Sequence, residues 1–454
     1  MGQRRARVLR YRKFAGVDCQ GSGAKALSTG TPMDAETKDR IAQQIAFIVS
    51  NTVDPFKEGI RRSTLISANG TTFALADDTV DLYEELQEQL LQKEGWGEKF
   101  SEKYLEGALQ QLLANILRSG SAALASEYFS QLVAYVDRYS NEQVVYVPVV
   151  GIEMQVQALP IGKVVLRKMT DSLLDELVKK TTAALASSSC TAEEKEHLVQ
   201  SQRQRIRSLK GLICAEFRAV GEPERARERA EEETRRVLDL LRYAILALHP
   251  KGYNAAVGAQ GEVDFSVRTI PIIPSDARDF DWHSQIIGPL APFEISPESI
   301  EAMRRIGVFE VSRILEKPDV KLTDFERALL RGIHWFANSQ TQFGKANELL
   351  TLATCLETFM TLPGNDPVGS AIAEGVAILV AAGLEDRKRL KKKIETIYRM
   401  RSEVSHGGRK AILERDLVEL RGIARKLTMS MIERKDEFPT QQSLLDWIED
   451  QKLR

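Results

Sequence analysis

The hydrophobic period of this chain changes along its length, and the last change divides it. Between Val144 and Ile273 apolar residues come in short β-branched runs cut by Pro and Gly. After Pro297 such runs cease, and apolar residues recur every three or four positions. Short runs of the first kind make strands, and the second spacing makes helices. The fold class expected is therefore multidomain: an α+β N-terminal domain followed by an all-α helical bundle. A length of 454 residues is also too great for one ordinary domain.

Residues 34–50 predict a helix with Ile41, Ile45 and Ile48 on one face, and 79–139 predicts more helix, broken near Gly95 and Gly120. Residues 144–150, 152–159 and 162–166 predict a small β-meander. Further helices are expected over 170–186, 190–207 and 222–248, the last opening on alternating charges that read as a solvated face. Strands are expected over 212–220, 253–257 and 263–273. Pro289, Pro292 and Pro297 mark a linker. The resulting division is 1–32, a basic disordered extension; 33–290, an α+β domain of regulatory or sensor type; 291–322, a linker region; and 323–454, the helical bundle.

A net charge of −1 offers no global attraction for nucleic acid, so any basic surface must be local. Cys19, Cys190, Cys214 and Cys355 show no Cys-x-x-Cys spacing, which argues against a disulfide framework or zinc knuckle and suits a reducing cytosol. Cys214 and Cys355 lie in apolar runs and read as buried thiols. The longest apolar stretch, 376–382, is far too short to span a bilayer, so no membrane partner is expected. Arg4, Arg5, Arg7, Arg10, Arg12 and Lys13 are opposed only by Asp18. Such a start also suits a transit peptide; Met33, directly before a clean amphipathic helix, favours the extension.

Five successive helices are expected in the bundle, over 324–338, 342–360, 367–382, 385–406 and 413–435. Asp366-Pro367 reads as a helix start, an N-cap acceptor before a first-turn proline. The third helix is apolar nearly all round (Ile372, Val376, Ile378, Leu379, Val380) and should be central. The fifth carries Leu413, Leu417, Leu420, Ala424, Leu427 and Met431 as one core stripe. On the fourth, Arg401 falls on the apolar stripe Leu390, Ile394, Ile397, Val404. On the second, Glu357 borders the stripe Ala346, Leu349, Ala353, Leu356, Met360. An arginine on a core-facing stripe is costly unless paired, so an Arg401–Glu357 contact is expected.

His406 follows Arg401 by five residues, and Gly407 and Gly408 should end the helix there. The helix dipole at that end favours the imidazolium. A histidine that titrates near neutrality beside an obligate cation is a reasonable ribonuclease pair. The imidazole moves a proton and the guanidinium neutralises the phosphorane. No metal and no cofactor is expected, because the five histidines are isolated from any zinc spacing. Arg with a nearby His recurs at Arg242/His249 and Arg278/His283, where it reads as chance. Arg387, Lys388, Arg389, Lys391, Lys392 and Lys393 are candidate RNA contacts or else a solvated helix face. Trp335 and Phe336 are core residues or base-stacking ones, and His334 reads as structural.

Three segments carry a family resemblance: Leu329-Leu330-Arg331-Gly332-Ile333-His334-Trp335-Phe336, Leu352-Ala353-Thr354-Cys355-Leu356-Glu357-Thr358-Phe359, and Ile397-Tyr398-Arg399-Met400-Arg401-Ser402-Glu403-Val404-Ser405-His406-Gly407. Together they resemble the Apea-like branch of the HEPN superfamily, the last containing its Tyr-x-x-Arg-Ser-x-x-x-His-Gly signature. Val147-Pro148-Val149-Val150-Gly151 and Pro160-Ile161-Gly162-Lys163-Val164 are similar to the β-rich region upstream of it. The resemblance implies a HEPN bundle that pairs about a two-fold axis and cuts RNA without metal, as toxin or phage-defence effector. It implies Arg401 and His406 as catalytic pair, Ser402 at the polar position after the arginine, and Glu357 as the group orienting Arg401.

The expectation is thus a cytoplasmic metal-independent endoribonuclease, acting on RNA as a homodimer through the C-terminal bundle, with an unknown trigger for the N-terminal domain. Arg401 and His406 lie about 140° apart around a helix, so one chain presents them as neighbours and a second copy completes the site. The competing expectation is a non-catalytic HEPN module, an RNA-binding or dimerisation scaffold. A coiled-coil structural protein is excluded by the β segments and the lack of sustained heptads.

Overall fold

The computed structural model describes residues 33–53, 64–139, 141–186, 191–249, 257–262, 266–272, 281–287, 292–342, 344–362, 364, 368–407 and 411–452. The extension 1–32, Cys19, Cys190, the start of the strand expected at 253–257, Arg278, Pro289, Asp366-Pro367 and Gly408 lie outside them. Two compact units emerge, one within 33–143 and 219–228, the other within 144–218 and 229–454.

In the first unit, the 34–50 stripe folds as α1 (Ala35–Ser50), with Ile41, Ile45 and Ile48 fully buried and Asp34 capping it through the Thr37 N–H at 2.7 Å. Strands β1 (Thr52–Val53), β2 (Thr64–Ala68) and β3 (Thr71–Leu75) form an antiparallel sheet in the order β1-β3-β2. Asn69 and Gly70, with φ of 51° and 76°, make the two-residue turn between β2 and β3. Such a turn needs left-handed backbone at both positions, which Asn-Gly adopts at least cost. Helices α2 (Asp77–Glu88), α3 (Glu102–Ser119) and α4 (Ala125–Arg138) follow, with breaks at Gly95 and Gly120 as expected.

The second unit contains most of β4 (Glu142–Val150), then β5 (Ile152–Met154), β6 (Ala158–Ile161), β7 (Val164–Lys168), α5 (Asp171–Ala186), α6 (Ala192–Arg207), and most of β8 (Ile213–Val220) and α7 (Pro223–Leu248). After them come β9 (Gly258–Ala259), the antiparallel hairpin β10 (Ser266–Ile272) and β11 (Asp281–Ile287), and β12 (Phe293–Ile295). The expected meander is corrected. The sheet order is β6-β7-β8-β4-β9, so β8 separates β7 from β4, while β5 pairs in parallel with β12.

The expected boundaries differ in two further ways. Segment 291–322 is no linker but holds β12, α8 (Pro297–Arg305) and α9 (Val308–Glu316), with Met303, Val308 and Val311 fully buried. Its prolines misled because Pro297 is the first residue of α8, after the Ser296 cap, a place where a missing N–H costs nothing. Nor do residues 33–290 form one body. The strands join the C-terminal helices, through the Gly162 N–H donating to Ser312 Oγ at 2.8 Å and Lys163 paired with Glu233 at 2.9 Å.

The bundle comprises α10 (Asp324–Asn338), α11 (Lys345–Met360), α12 (Gly369–Val380), α13 (Leu384–Ser405) and α14 (Glu414–Glu433), close to the five helices expected, plus α15 (Gln441–Lys452), which was not. Ile372 and Val376 of α12 are fully buried, as the all-round apolar pattern required, and so are Leu417, Leu420, Ala424, Leu427 and Met431 of α14. Cys214 and Cys355 are buried thiols, both pushed up to about 12 by burial. Among the described residues no helix is long and apolar enough to cross a membrane.

Candidate active site

The fourth helix of the bundle, α13, buries Ile394, Ile397 and Met400 against its neighbours, while its last turn reaches the surface. Arg401 and Glu357 meet as expected, Nε to Oε1 at 3.3 Å, with Glu357 nearly covered and Arg401 one-third exposed. Both atoms are sealed from solvent, yet they lack the alignment of a hydrogen bond. Attraction there is Coulombic rather than directional. Arg421 and Glu348, joining α14 to α11, show the aligned alternative, with Nη2 to Oε2 at 2.9 Å beside a second contact from Nε.

Tyr398 is the residue that the sequence did not single out for a role. Its hydroxyl donates to the Ala353 carbonyl at 3.3 Å. Gly369 at the start of α12 makes room for the ring, since a Cβ there would stand 3.3 Å from Tyr398 Cβ and Cδ1. Burial pushes the Glu357 carboxyl above the ordinary carboxylate range, against the opposing pull of Arg401 and Tyr398. Burial likewise drives the Tyr398 phenol well up, with the Glu357 charge acting in the same direction. Tyr398 therefore stays a neutral donor, and its hydrogen ties α13 to the Ala353 carbonyl of α11.

His406 caps α13, its own N–H donating to the Ser402 carbonyl at 3.1 Å, and its side chain is exposed. Gly407 follows at φ +79°, the left-handed step that ends a helix, and its N–H donates to the Val404 carbonyl at 3.2 Å. Ser402 is exposed. Among the described residues no hydrogen bond or ion pair ties the His406 imidazole to Arg401, Ser402 or Glu357. One chain thus supplies an anchored guanidinium and a separate, accessible imidazole.

The basic run is mostly committed elsewhere. Lys388 pairs with Glu385 at 2.8 Å, Arg389 with Asp386 at 2.7 Å, Lys391 with Glu374 at 3.0 Å, and Lys393 with Glu419. Of the six cations Arg387 and Lys392 have no carboxylate partner among the described residues, and Arg387 Nε is buried. Lys392 lines a depression of about 310 Å³ between α13 and α14, whose walls include Asp416 and Glu419 but neither Arg401 nor His406. Trp335 is one-third exposed and Phe336 is core.

A second polar cluster escaped the sequence reading. Asp239 and Arg242 of α7 are buried together at 3.0 Å, Arg242 Nε donates to the Val257 carbonyl at 2.7 Å, and Asp239 Oδ2 meets His334 Nδ1 at 2.7 Å. Arg242 thus pairs with Asp239 rather than belonging to a chance Arg/His match. The available signal was two opposite charges at i, i+3 inside an otherwise apolar stretch of α7. Among the described residues no group of three or more His, Cys, Asp or Glu is gathered as a metal site. Compared with known proteins, the chain matches no family model, no curated protein and no solved structure.

Proposed function

We propose that the chain is a HEPN-type endoribonuclease, with Arg401 and His406 as the reacting pair and the RNA's own 2′-hydroxyl as nucleophile. The observation that carries this reading is the end of α13, where a guanidinium held from behind by a nearly covered carboxylate precedes the exposed imidazole of the C-cap residue. His406 takes the proton from the attacking 2′-hydroxyl or supplies one to the departing 5′-oxygen. A bond forms from O2′ to phosphorus, the bond from phosphorus to O5′ breaks, and the proton passes from O2′ to O5′. Arg401 neutralises charge on the phosphoryl oxygens between those events. Glu357 positions Arg401 and touches no substrate. Products are a 2′,3′-cyclic phosphate and a 5′-hydroxyl. None of these steps requires a metal.

His406 and Arg401 stand apart in one chain, so a second copy across a two-fold axis at the end of α13 supplies the complementary pair. A toxin or phage-defence role follows from the family resemblance alone. The pairing of Lys388, Arg389, Lys391 and Lys393 with carboxylates favours a second reading, a HEPN scaffold that binds or dimerises without cutting. Incubating the purified full chain with total RNA in EDTA separates the two. Cleavage by the wild type, reduced by about 100-fold to 10,000-fold in His406→Ala, supports the enzyme. Intact RNA supports the scaffold.

A further inference from the structure

Away from α13, within the second unit, a cavity of about 320 Å³ lies between α7, α9 and α10. That volume is at the lower end of small-molecule pockets. Leu240 of α7, Val311 and Leu315 of α9, and Leu330 of α10 give it apolar walls. Three of its polar groups form a stripe along α10, Arg327, Arg331 and His334 at i, i+4, i+7, which share a helix face.

The charges of this cavity balance unevenly. Arg236 and Asp319 close one side as a bidentate pair, at 3.0 and 2.9 Å. Arg327 is held by Asp324 at 2.9 Å and by the Asp319 carbonyl. Both oxygens of buried Asp239 are occupied, Oδ1 by Arg242 and Oδ2 by His334. On the other side of the ring the Asn338 amide nitrogen lies 3.0 Å from His334 Nε2. The imidazole is thereby locked as a wall of the cavity by a buried ion pair. Arg331 remains, exposed and without a carboxylate partner among the described residues. Every carboxylate of the lining is matched, and one cation is not.

We propose that this cavity binds a small organic anion, its apolar body between Leu240, Val311, Leu315 and Leu330 and its carboxylate or phosphate on Arg331. An aromatic or branched body fits the apolar walls, and the planar guanidinium suits a two-oxygen anionic head. A neutral analogue forfeits the charge-assisted bonds that the open rim offers. This site is independent of the ribonuclease reading.

Calorimetric titration of the full chain with 1-naphthoate, 1-naphthyl phosphate and uncharged 1-naphthamide tests it. Carboxylate or phosphate should bind at one site per chain, with the amide weaker by about tenfold or more. The better anion of the two identifies the head group. Arg331→Glu, on an exposed side chain, should weaken binding by about tenfold or more, with an unchanged melting curve as control for folding. Leu330→Trp should fill the cavity and remove binding. The proposal is overturned if neither anion binds, if the amide binds as tightly, or if Arg331→Glu binds like the wild type.

Discussion

Arg401 and Glu357 illustrate how an ion pair depends on which partner is covered. Glu357 is nearly enclosed and Arg401 is one-third exposed, so removing either has unequal consequences. Arg401→Ala strands a covered carboxylate and should destabilise the fold by about 1–3 kcal/mol. Glu357→Gln leaves the guanidinium its access to water and should stay within about 1 kcal/mol of wild type. Burial already holds the Glu357 carboxyl above its unfolded value, so the folded state binds more protons there and stability falls as pH rises through that window. Losing Arg401 removes a lowering influence and extends the window upward. The Arg401→Ala deficit, measured by urea unfolding, should therefore be larger near pH ~8 than near pH ~5; equal deficits would mean that Glu357 does not sense Arg401. This pair was legible in the sequence because each charge interrupts the apolar stripe of its own helix. The Asp239–His334 contact was not, since its partners belong to segments 95 residues apart and neither alone breaks a pattern that requires the other.

Helices with long apolar stripes, such as α14, announced themselves, whereas elements defined by termini and turns did not. Asn69-Gly70 marks the β2–β3 hairpin and stands openly in the sequence, but a strand of five residues on either side is too short for periodicity to register. Helix α15 buries only Gln441, Leu444 and Ile448, so its stripe is thin. Its anchoring is polar: Gln441 Nε2 donates to the Thr358 and Thr361 carbonyls, each at 2.8 Å, which closes the end of α11. Gln441→Ala leaves those acceptors without their donor and should cost about 1–3 kcal/mol, read by thermal or denaturant unfolding. The basic run of α13 makes the opposite case, because its charges were legible and their partners were not. With four of its six cations paired, neutralising all six should flatten the salt dependence of RNA binding by about one to two phosphate contacts rather than six. A loss near six, from filter binding across salt concentrations, would show that RNA displaces those carboxylates.

Across the whole molecule, the bundle is not a self-sufficient C-terminal domain. Tyr243 of α7 is fully buried, its ring 6.3 Å from Phe336 of α10 and its hydroxyl donating to the Ile306 carbonyl at 2.8 Å. Arg425 of α14 donates to the Ala247 carbonyl at 3.2 Å, which ties α7 to a second bundle helix. A fragment of residues 323–454 uncovers these faces and should melt earlier and less cooperatively than the full chain, as followed by circular dichroism. A melt as steep and as late as that of the full chain would contradict the packing. The change in period thus located the helices but placed their boundary too late, because α7 belongs to the bundle's core while lying within the α+β stretch of the sequence. Activity measurements accordingly belong to the full chain. The most direct of them incubates the full chain with RNA in EDTA and identifies by mass the ends of any fragments. Arg401 and His406 acting on a 2′-hydroxyl predict 2′,3′-cyclic phosphate or 3′-phosphate ends, absent with His406→Ala and absent from DNA. Ends bearing a 3′-hydroxyl, or equal cutting by His406→Ala, would contradict the assignment.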